Sequence, residues 1–511
     1  MKKFFMIQIA IIVFALLFAN AAFALAYYYP ESYEGGVKGD SEYQEMLFIT
    51  GEPVLLKGTV RVSLGRLRDG KRQDRITYSL FSDDKSVNLS RSITLSVTME
   101  GQKEKSQIKT TCEVIRASET VSVKKENGAS ERYTLKSYSL TASTITDISA
   151  AVDYSATIIR GSKVYEVNNG QGTVTVEISG KGVGYDSAWG ATESRQIQLL
   201  ISSRRKADLK KGTEAFSWKG SVEEELSLSR TRDISYVENQ PTRISFKGAY
   251  AEIKKEESIA SYSYDLPRFD ENGMPEDKRN RGSKVISLSL TPKSEMAYIP
   301  KVADLAGHWA RSDAEKLLAL GIIRQEGSYF WPKIPAKRLE FALAMGRLTD
   351  AAARAERWAE LFENTSTRKS RKTVQSSLPF DDLVLSEEDA AYVLALSEMG
   401  VMEGTTPRRF SPNENLTRAQ VVTIMVRALG LEKNIPRMYR LGFKDEGEIP
   451  PWAKDAVYVG SSIGLVRGDE AGYFRPDDPV TRAEAAAFLN RFMTYLKDDL
   501  RRDFRDRLME F

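Results

Sequence analysis

The chain has 511 residues, of which 28% are charged and 41% hydrophobic; its formal net charge is +4, with one cysteine and one histidine. That composition excludes an intrachain disulfide, a metal site with two histidines, and any relay needing more than one. Near-balanced charge argues neither for nucleic acid as a partner nor for general attraction to a membrane surface.

The N-terminus reads as a secretory signal peptide over residues 1–26. Lys2 and Lys3 precede a long apolar run, and Ala22-Phe23-Ala24 or Ala24-Leu25-Ala26 offers a small-x-small cleavage site. The run is also long enough to act as an uncleaved anchor. No second span of about 20 apolar residues follows.

Residues 27–300 form a β-rich region. Apolar and polar residues alternate: Val60, Val62 and Leu64; Ile93, Leu95, Val97 and Met99 opposite Ser92, Thr94, Ser96 and Thr98; Val174, Val176 and Ile178; Leu226 and Leu228; Ile286, Leu288 and Leu290. Period-two alternation predicts antiparallel sheet with one wet face. Hairpin turns are expected at Asp69-Gly70 and Glu126-Asn127-Gly128. The expected fold class is an antiparallel, sandwich-like all-β region of about 14–18 strands, in one unit or in two divided near 145–160, followed by an all-α bundle. Charged residues scattered through the strands argue against an outer-membrane barrel, which needs a continuous lipid-facing apolar band. Cys112 falls in an alternating stretch and is expected to be a small buried hydrophobe.

From about residue 301 the pattern becomes helical and repeats itself. The stretch VTRAEAAAFLNRF (480–492) has Thr481 as helix cap and Glu484 completing a capping box. The stretch LTRAQVVTIMVRAL (416–429) repeats this with Thr417 and Gln420. In AKRLEFALAMGRL (336–348) Lys337 replaces the capping threonine, while Glu340 remains. All three copies place an arginine in the first helical turn, Arg338, Arg418 and Arg482. There the helix dipole disfavours a cation, and local chemistry gives the residue no part in folding. A Phe-x-Pro precedes each copy, at Phe330 and Pro332, Phe410 and Pro412, and Phe474 and Pro476. Asp304, Asp382 and Asp445 open the units. Trp309 and Trp452 lie twelve residues before Gly321 and Gly464, where the middle unit has Glu388. Each unit reads as helix, tight loop, helix, too small to bury its apolar face alone. The boundaries are 301–350, 379–432 and 433–497, with a helical and then polar linker at 351–378. A helical tail at 498–511 carries Leu500, Phe504 and Leu508, set to pack on the repeats.

The triplicated TRAE, TRAQ and KRLE sequences, with their spacing and order, resemble S-layer homology repeats. The resemblance covers about 301–497. It implies a pseudo-threefold helical domain that holds an exported protein non-covalently on the bacterial cell wall. Its ligand would be a secondary cell-wall polysaccharide, often pyruvylated, or peptidoglycan. Carried over, Arg338, Arg418 and Arg482 would contact the anion beside helix N-termini. Asp304, Asp382 and Asp445 would accept sugar hydroxyls or hold loops. Trp309 and Trp452 would form apolar walls or pack between repeats.

No catalytic constellation is visible, and no cofactor or metal is expected. His308 lies in Gly-His-Trp-Ala, where capping or packing suffices. No Gly-x-Ser-x-Gly or P-loop is present. Asp270-Glu271-Asn272-Gly273 lacks the ligand spacing of a calcium loop. The expected function is a non-enzymatic surface protein displaying a β-rich adhesive or structural region. A lattice subunit that associates with its own copies, and a wall-bound glycan-active or carbohydrate-binding protein, are the alternatives.

Overall fold

A computed structural model describes residues 30–508, except 125–129, 208–213, 239–247, 363–377 and positions 272, 326, 434 and 437. The segment expected to be a signal peptide, the hairpin turn expected at Glu126-Asn127-Gly128 and the expected polar half of the linker lie outside the described residues.

The β region is one continuous sheet rather than a sandwich. Its strands are β1 (Val37–Lys38), β2 (Tyr43–Leu47), β3 (Val54–Ser63), β4 (Lys71–Phe81), β5 (Val87–Gln102), β6 (Gln107–Lys124) and β7 (Ser130–Ile148). They continue as β8 (Val152–Val167), β9 (Gly172–Ser187), β10 (Gly190–Arg205), β11 (Phe216–Val237), β12 (Ala249–Phe269), β13 (Pro275–Ser289) and β14 (Lys293–Tyr298). From β1 to β13 each strand pairs antiparallel with the next, and β14 returns to β12. The sheet twists and curls until its first strand meets its last. There Lys38 N donates to Ser258 Oγ (3.1 Å) and Thr291 N donates to Asp40 Oδ2 (2.8 Å). Side chains thus close the seam of a nearly closed barrel. The expected break at 145–160 is absent, because the ladder runs unbroken through the β7–β8 hairpin.

Inward positions follow the alternation. Ile93, Leu95, Val97 and Met99 are buried, as are Val174, Val176, Leu226 and Leu228, and Cys112 lies among them. Leu64 is an exception at 46% exposed. It follows the end of β3, beyond the reach of β2, which covers that strand only as far as Gly58. The outward face of β5 carries Asn88, Ser90, Ser92 and Thr94. The expected turn at Asp69-Gly70 is present: both residues have positive φ (50° and 69°), between Arg68 and Lys71, which bond each other.

The lumen is not wholly apolar. Arg91 on β5 bonds Glu119 on β6 (Nε to Oε2, 2.8 Å) and Glu45 on β2 (Nη1 to Oε2, 2.8 Å). Glu34 enters this cluster from a 3-10 turn, Pro30–Glu34, that lies inside the barrel. Its carboxylate meets Arg91 (3.2 Å), Lys163 on β8, and the Tyr138 hydroxyl on β7 (2.7 Å). Burial pushes the Glu119 carboxyl up, but Arg91 and then Lys163 more than offset it and hold it at about 2. On β11, Glu224 is buried near Glu45 and Glu34, and desolvation pushes it up to about 8 against the weaker opposing pull of Arg195.

The α-helices that follow among the described residues are α1 (Arg311–Ala319), α2 (Arg338–Thr349), α3 (Ala351–Phe362), α4 (Glu387–Glu398), α5 (Arg418–Leu429), α6 (Pro451–Ser462), α7 (Arg482–Thr494) and α8 (Leu500–Leu508). Gly321, Gly400 and Gly464 stop α1, α4 and α6 with φ of 68°, 70° and 75°, the left-handed conformation a helix C-terminus uses. Helix α4 packs on α2, α6 on α5, and α1 on α7, so each unit's first helix rests on another unit's second.

Bundle and barrel share an apolar core. The turns Ala150-Ala151-Val152 and Tyr185 to Trp189, at one barrel end, are buried with the helices. Ala151 N donates to Ala428 O (2.8 Å), and Trp189 Nε1 donates to Leu348 O (2.8 Å). Helix α3 is the expected helical linker, and it does more than connect. Arg354 is paired in the interior with Asp153, Arg357 reaches Asp186 (3.5 Å), and Trp358 is buried with the lumen side chains. In the tail expected to pack on the repeats, Leu500 and Phe504 are buried. Phe504, however, packs on the barrel, with its ring 5.3 Å from Tyr185 and 6.4 Å from Tyr154.

Candidate functional site

The three loop-to-helix junctions meet in a closed ring of backbone hydrogen bonds. Ala336 N donates to Val480 O (2.8 Å), Val480 N to Leu416 O (2.9 Å), and Leu416 N to Ala336 O (3.2 Å). The residues before the three caps therefore hold one another. The caps form as the sequence predicts. Thr417 and Thr481 accept from Gln420 N (3.4 Å) and Glu484 N (3.3 Å), and the box residues bond back. At Lys337 only the returning half survives, Lys337 N to Glu340 Oε2 at 3.4 Å, because an ammonium cannot accept.

The helix N-termini are not open to an anion. Arg338 N, Arg418 N and Arg482 N donate to Glu414 O (2.9 Å), Asp478 O (3.1 Å) and Ile334 O (2.9 Å). The next N–H groups, on Leu339, Ala419 and Ala483, donate to Pro412 O, Pro476 O and Pro332 O at 3.0–3.2 Å. Loop carbonyls of a different unit thus satisfy the donors that a helix start leaves unpaired. An anion beside these arginines would therefore find the first two N–H groups of each helix already bonded.

The arginine side chains have a folding role that the sequence reading denied them. Arg418 Nε donates to Phe474 O (2.8 Å), Nη2 reaches Arg467 O (3.4 Å), and the guanidinium lies 5.6 Å from the Phe474 ring centre. Arg338 makes the same set with Phe410 O (2.9 Å), Glu403 O and the Phe410 ring (5.0 Å). Arg482 lies over Phe330 (5.2 Å) and meets Glu340 at 3.2 Å. Each arginine clamps the Phe-x-Pro loop of another unit. Burial pushes the Arg418 and Arg338 guanidinium pKa values down. Arg418→Ala should therefore lower stability by about 1–3 kcal/mol, through lost hydrogen bonds from a charged group. Urea denaturation of the full chain checks this, and an unchanged midpoint would return the residue to a purely ligand-facing role.

The aspartates hold loops. Asp304 accepts Phe330 N (2.8 Å) and Trp331 N (2.7 Å); Asp382 accepts Phe410 N and Ser411 N, both at 2.8 Å; Asp445 accepts Phe474 N (2.8 Å) and Arg475 N (2.6 Å). Both oxygens of each carboxylate already receive a backbone N–H. The second residue clamped has positive φ each time: Trp331 58°, Ser411 61° and Arg475 58°. The carboxylate stabilises a conformation these residues disfavour. Of the two readings the sequence left open, loop bonding is the one the structure shows. His308 likewise has a local task, with Nδ1 accepting from Ala310 N (3.2 Å).

Trp309 and Trp452 do not pack between units; they stand 64% and 54% exposed. Further aromatic side chains of the first and third units, outside the sequence-predicted set, are also exposed. Trp331 and Tyr329 are 55% and 51% exposed, with ring centres 5.2 Å apart. Tyr473 lies beside Lys444 (5.6 Å) and Arg475 (5.8 Å). Trp331, Ser411 and Arg475 are the middle residues of the three Phe-x-Pro motifs, so their alignment was visible and their positive φ was not. The first and third units present aromatic faces, while the middle one presents ion pairs such as Arg408 with Asp381 (2.6 Å). Such faces suit the apolar faces of sugar rings and cations nearby suit acidic groups.

The S-layer homology domain family model matches residues 379–422 and 442–486. The chain is 26% identical over 228 residues to the surface-layer 125 kDa protein of Lysinibacillus sphaericus, covering 42% of this chain and 17% of that one. It is 23% identical over 222 residues to S-layer protein EA1 of Bacillus anthracis (42% and 23%). It is 31% identical over 143 residues to an endoglucanase of Bacillus sp. strain KSM-635 (27% and 14%). The matches thus span less than a quarter of these relatives' lengths.

Proposed function

We propose that this S-layer homology domain protein is an exported surface protein, fixed non-covalently to the bacterial cell wall by its helical bundle. Residues 301–350 act as a third S-layer homology repeat, completing the ring with the two that match the family model. The bundle's ligand is the wall's secondary polysaccharide, bound on the first and third units, and the barrel is displayed as an adhesive or structural body without catalysis. The observation that carries the reading is the triplicated junction, two of whose three copies, at Leu416 and Val480, fall within the family match, with exposed aromatic residues in the first and third units. Relatives named as surface-layer proteins support the location.

The test is co-sedimentation of the full chain with cell-wall sacculi, before and after acid removes the secondary polymers. Binding should be lost on stripping. Trp309→Ala with Trp331→Ala should weaken binding at least about tenfold, as loss of stacking area does at a hot spot, while the melting temperature holds because both side chains are exposed. Undiminished binding to stripped sacculi would replace the polymer with peptidoglycan. Binding to neither would overturn the anchoring role.

A further inference from the structure

The segment before β1 is the least conventional part of the barrel. Residues 30–36 belong to no strand; they sit in the lumen, met by side chains of the wall and by the space left for them. The groups that receive them come from strands all around the wall. On β10, Arg195 donates to Ser32 Oγ (2.8 Å) and lies 4.6 Å from the Tyr33 ring centre. Glu34, with a side chain only 2% exposed, is met by Arg91 on β5, Tyr138 on β7 and Lys163 on β8. Tyr262 on β12 donates to Gly35 O.

Two positions of the segment favour glycine, Gly35 by its backbone conformation and Gly36 by close contact. A Cβ on Gly35, whose φ is +82°, would overlap the Glu224 carboxyl, and one on Gly36 would overlap the Tyr43 phenol. Each residue of the stretch thus meets its own complement: a cation over an aromatic ring, two cations and a hydroxyl on a carboxylate, and two passages sized for glycine. Such position-by-position matching of side chains to pockets is how a protein reads a bound peptide. Charge-assisted bonds to Glu34 supply the strongest part of the discrimination.

We propose that the barrel lumen is a peptide-recognition site for the sequence Ser-Tyr-Glu-Gly-Gly, occupied in this chain by its own residues 32–36. The ligand class is a flexible peptide with an aromatic residue, then a carboxylate, then two glycines. The segment is a ligand held in place by its covalent link to β1. It is replaceable by the same sequence supplied separately.

The experiment starts from the full chain with a specific protease sequence inserted between Asp40 and Ser41, both exposed in the β1–β2 turn. After cleavage, a fluorescein-labelled synthetic peptide of residues 30–40 is added and anisotropy followed. The labelled peptide should exchange into the cut protein and not into the uncut one. A Glu34→Gln peptide should bind at least about tenfold more weakly, in line with the loss of bonds to charged groups, and a Gly36→Val peptide should not bind. A cut protein that keeps its β circular dichroism yet binds the peptide no better than a scrambled one would overturn the proposal, as would equal binding of the Gln peptide. If cleavage unfolds the barrel, hydrogen exchange on the uncut Glu34→Gln chain decides. Amides of residues 32–37 should exchange at least about tenfold faster with those of Val97 and Leu226 unchanged; no change, or a rise across the barrel, would overturn it.

Discussion

Replacing Arg91 with methionine should destabilise the barrel by at least about 3–5 kcal/mol, the cost of leaving a buried ionic group without its partner. Here the penalty falls on three carboxylates at once, because Glu34, Glu45 and Glu119 all meet this guanidinium. Lys163 reaches Glu34 and, at 3.7 Å, Glu119, but not Glu45. Methionine fills the space without supplying charge, so the loss is electrostatic rather than a cavity. Burial already pushes the Glu45 carboxyl up against the opposing pull of Arg91. Without Arg91 it, and then its neighbours, would take up protons on folding. The variant should therefore be less impaired in mild acid than at neutral pH. A series of urea melts from pH 5 to pH 8 tests both statements. A midpoint within experimental error of the native chain's would show that water reaches the cluster and screens it.

Arg354→Ala should cost about 3 kcal/mol or more by the same mechanism, and it should also separate two unfolding events. Arg354 sits on α3, at the barrel–bundle boundary, paired with Asp153 of β8. Burial pushes the Asp153 carboxyl up to about 6 even with Arg354 opposing it. In the variant it rises further. A carboxyl whose folded pKa lies above its unfolded value holds an extra proton when folded, so stability falls as pH rises through that window. The penalty should be smaller at pH 5 than at pH 8. Calorimetry of the native chain should give one cooperative transition, since Trp189, Arg354 and Phe504 bind the two bodies through one core. The variant should give two. A single transition shifted as a whole would mean that the remaining contacts suffice for coupling.

The helical part was legible because the chain contains its own comparison. Three copies of one pattern exposed the caps, the Phe-x-Pro loops and the clamped aspartates without any second sequence. What they could not expose was the direction of each contact. Arg418 looks idle within its own helix because its partners, Phe474 O and Arg467 O, belong to a loop about fifty residues away. Cap rules describe a helix in isolation, whereas these N-termini are completed by another unit's carbonyls. The tryptophans were ambiguous for a similar reason: periodicity says which face a residue occupies, not whether a neighbouring unit covers that face.

In the β region, alternation fixed the inner face of β5 residue by residue, yet sandwich and barrel share that alternation. Only strand order separates them, and strand order is tertiary. One signal was present and unused. Arg91 falls in register with Leu89 and Ile93, an inward position on an otherwise apolar face, as Glu119 does before Val121. A charge at such a position needs a buried partner. Pairing those misfits with the acidic Tyr-Glu-Gly-Gly stretch would have placed the N-terminal segment inside the sheet.

The ring formed by Ala336, Val480 and Leu416 has an arithmetic consequence. A stacked array of repeats can lengthen by one or shorten by one, since its ends differ from its middle only by their caps. A cycle in which the third member's carbonyl receives the first member's N–H has no end at which to add. Its membership is set by closure, as in a three-legged stool. A copy carrying two such units, or four, would need a different centre, so duplication in this lineage of sequences should proceed by whole triads.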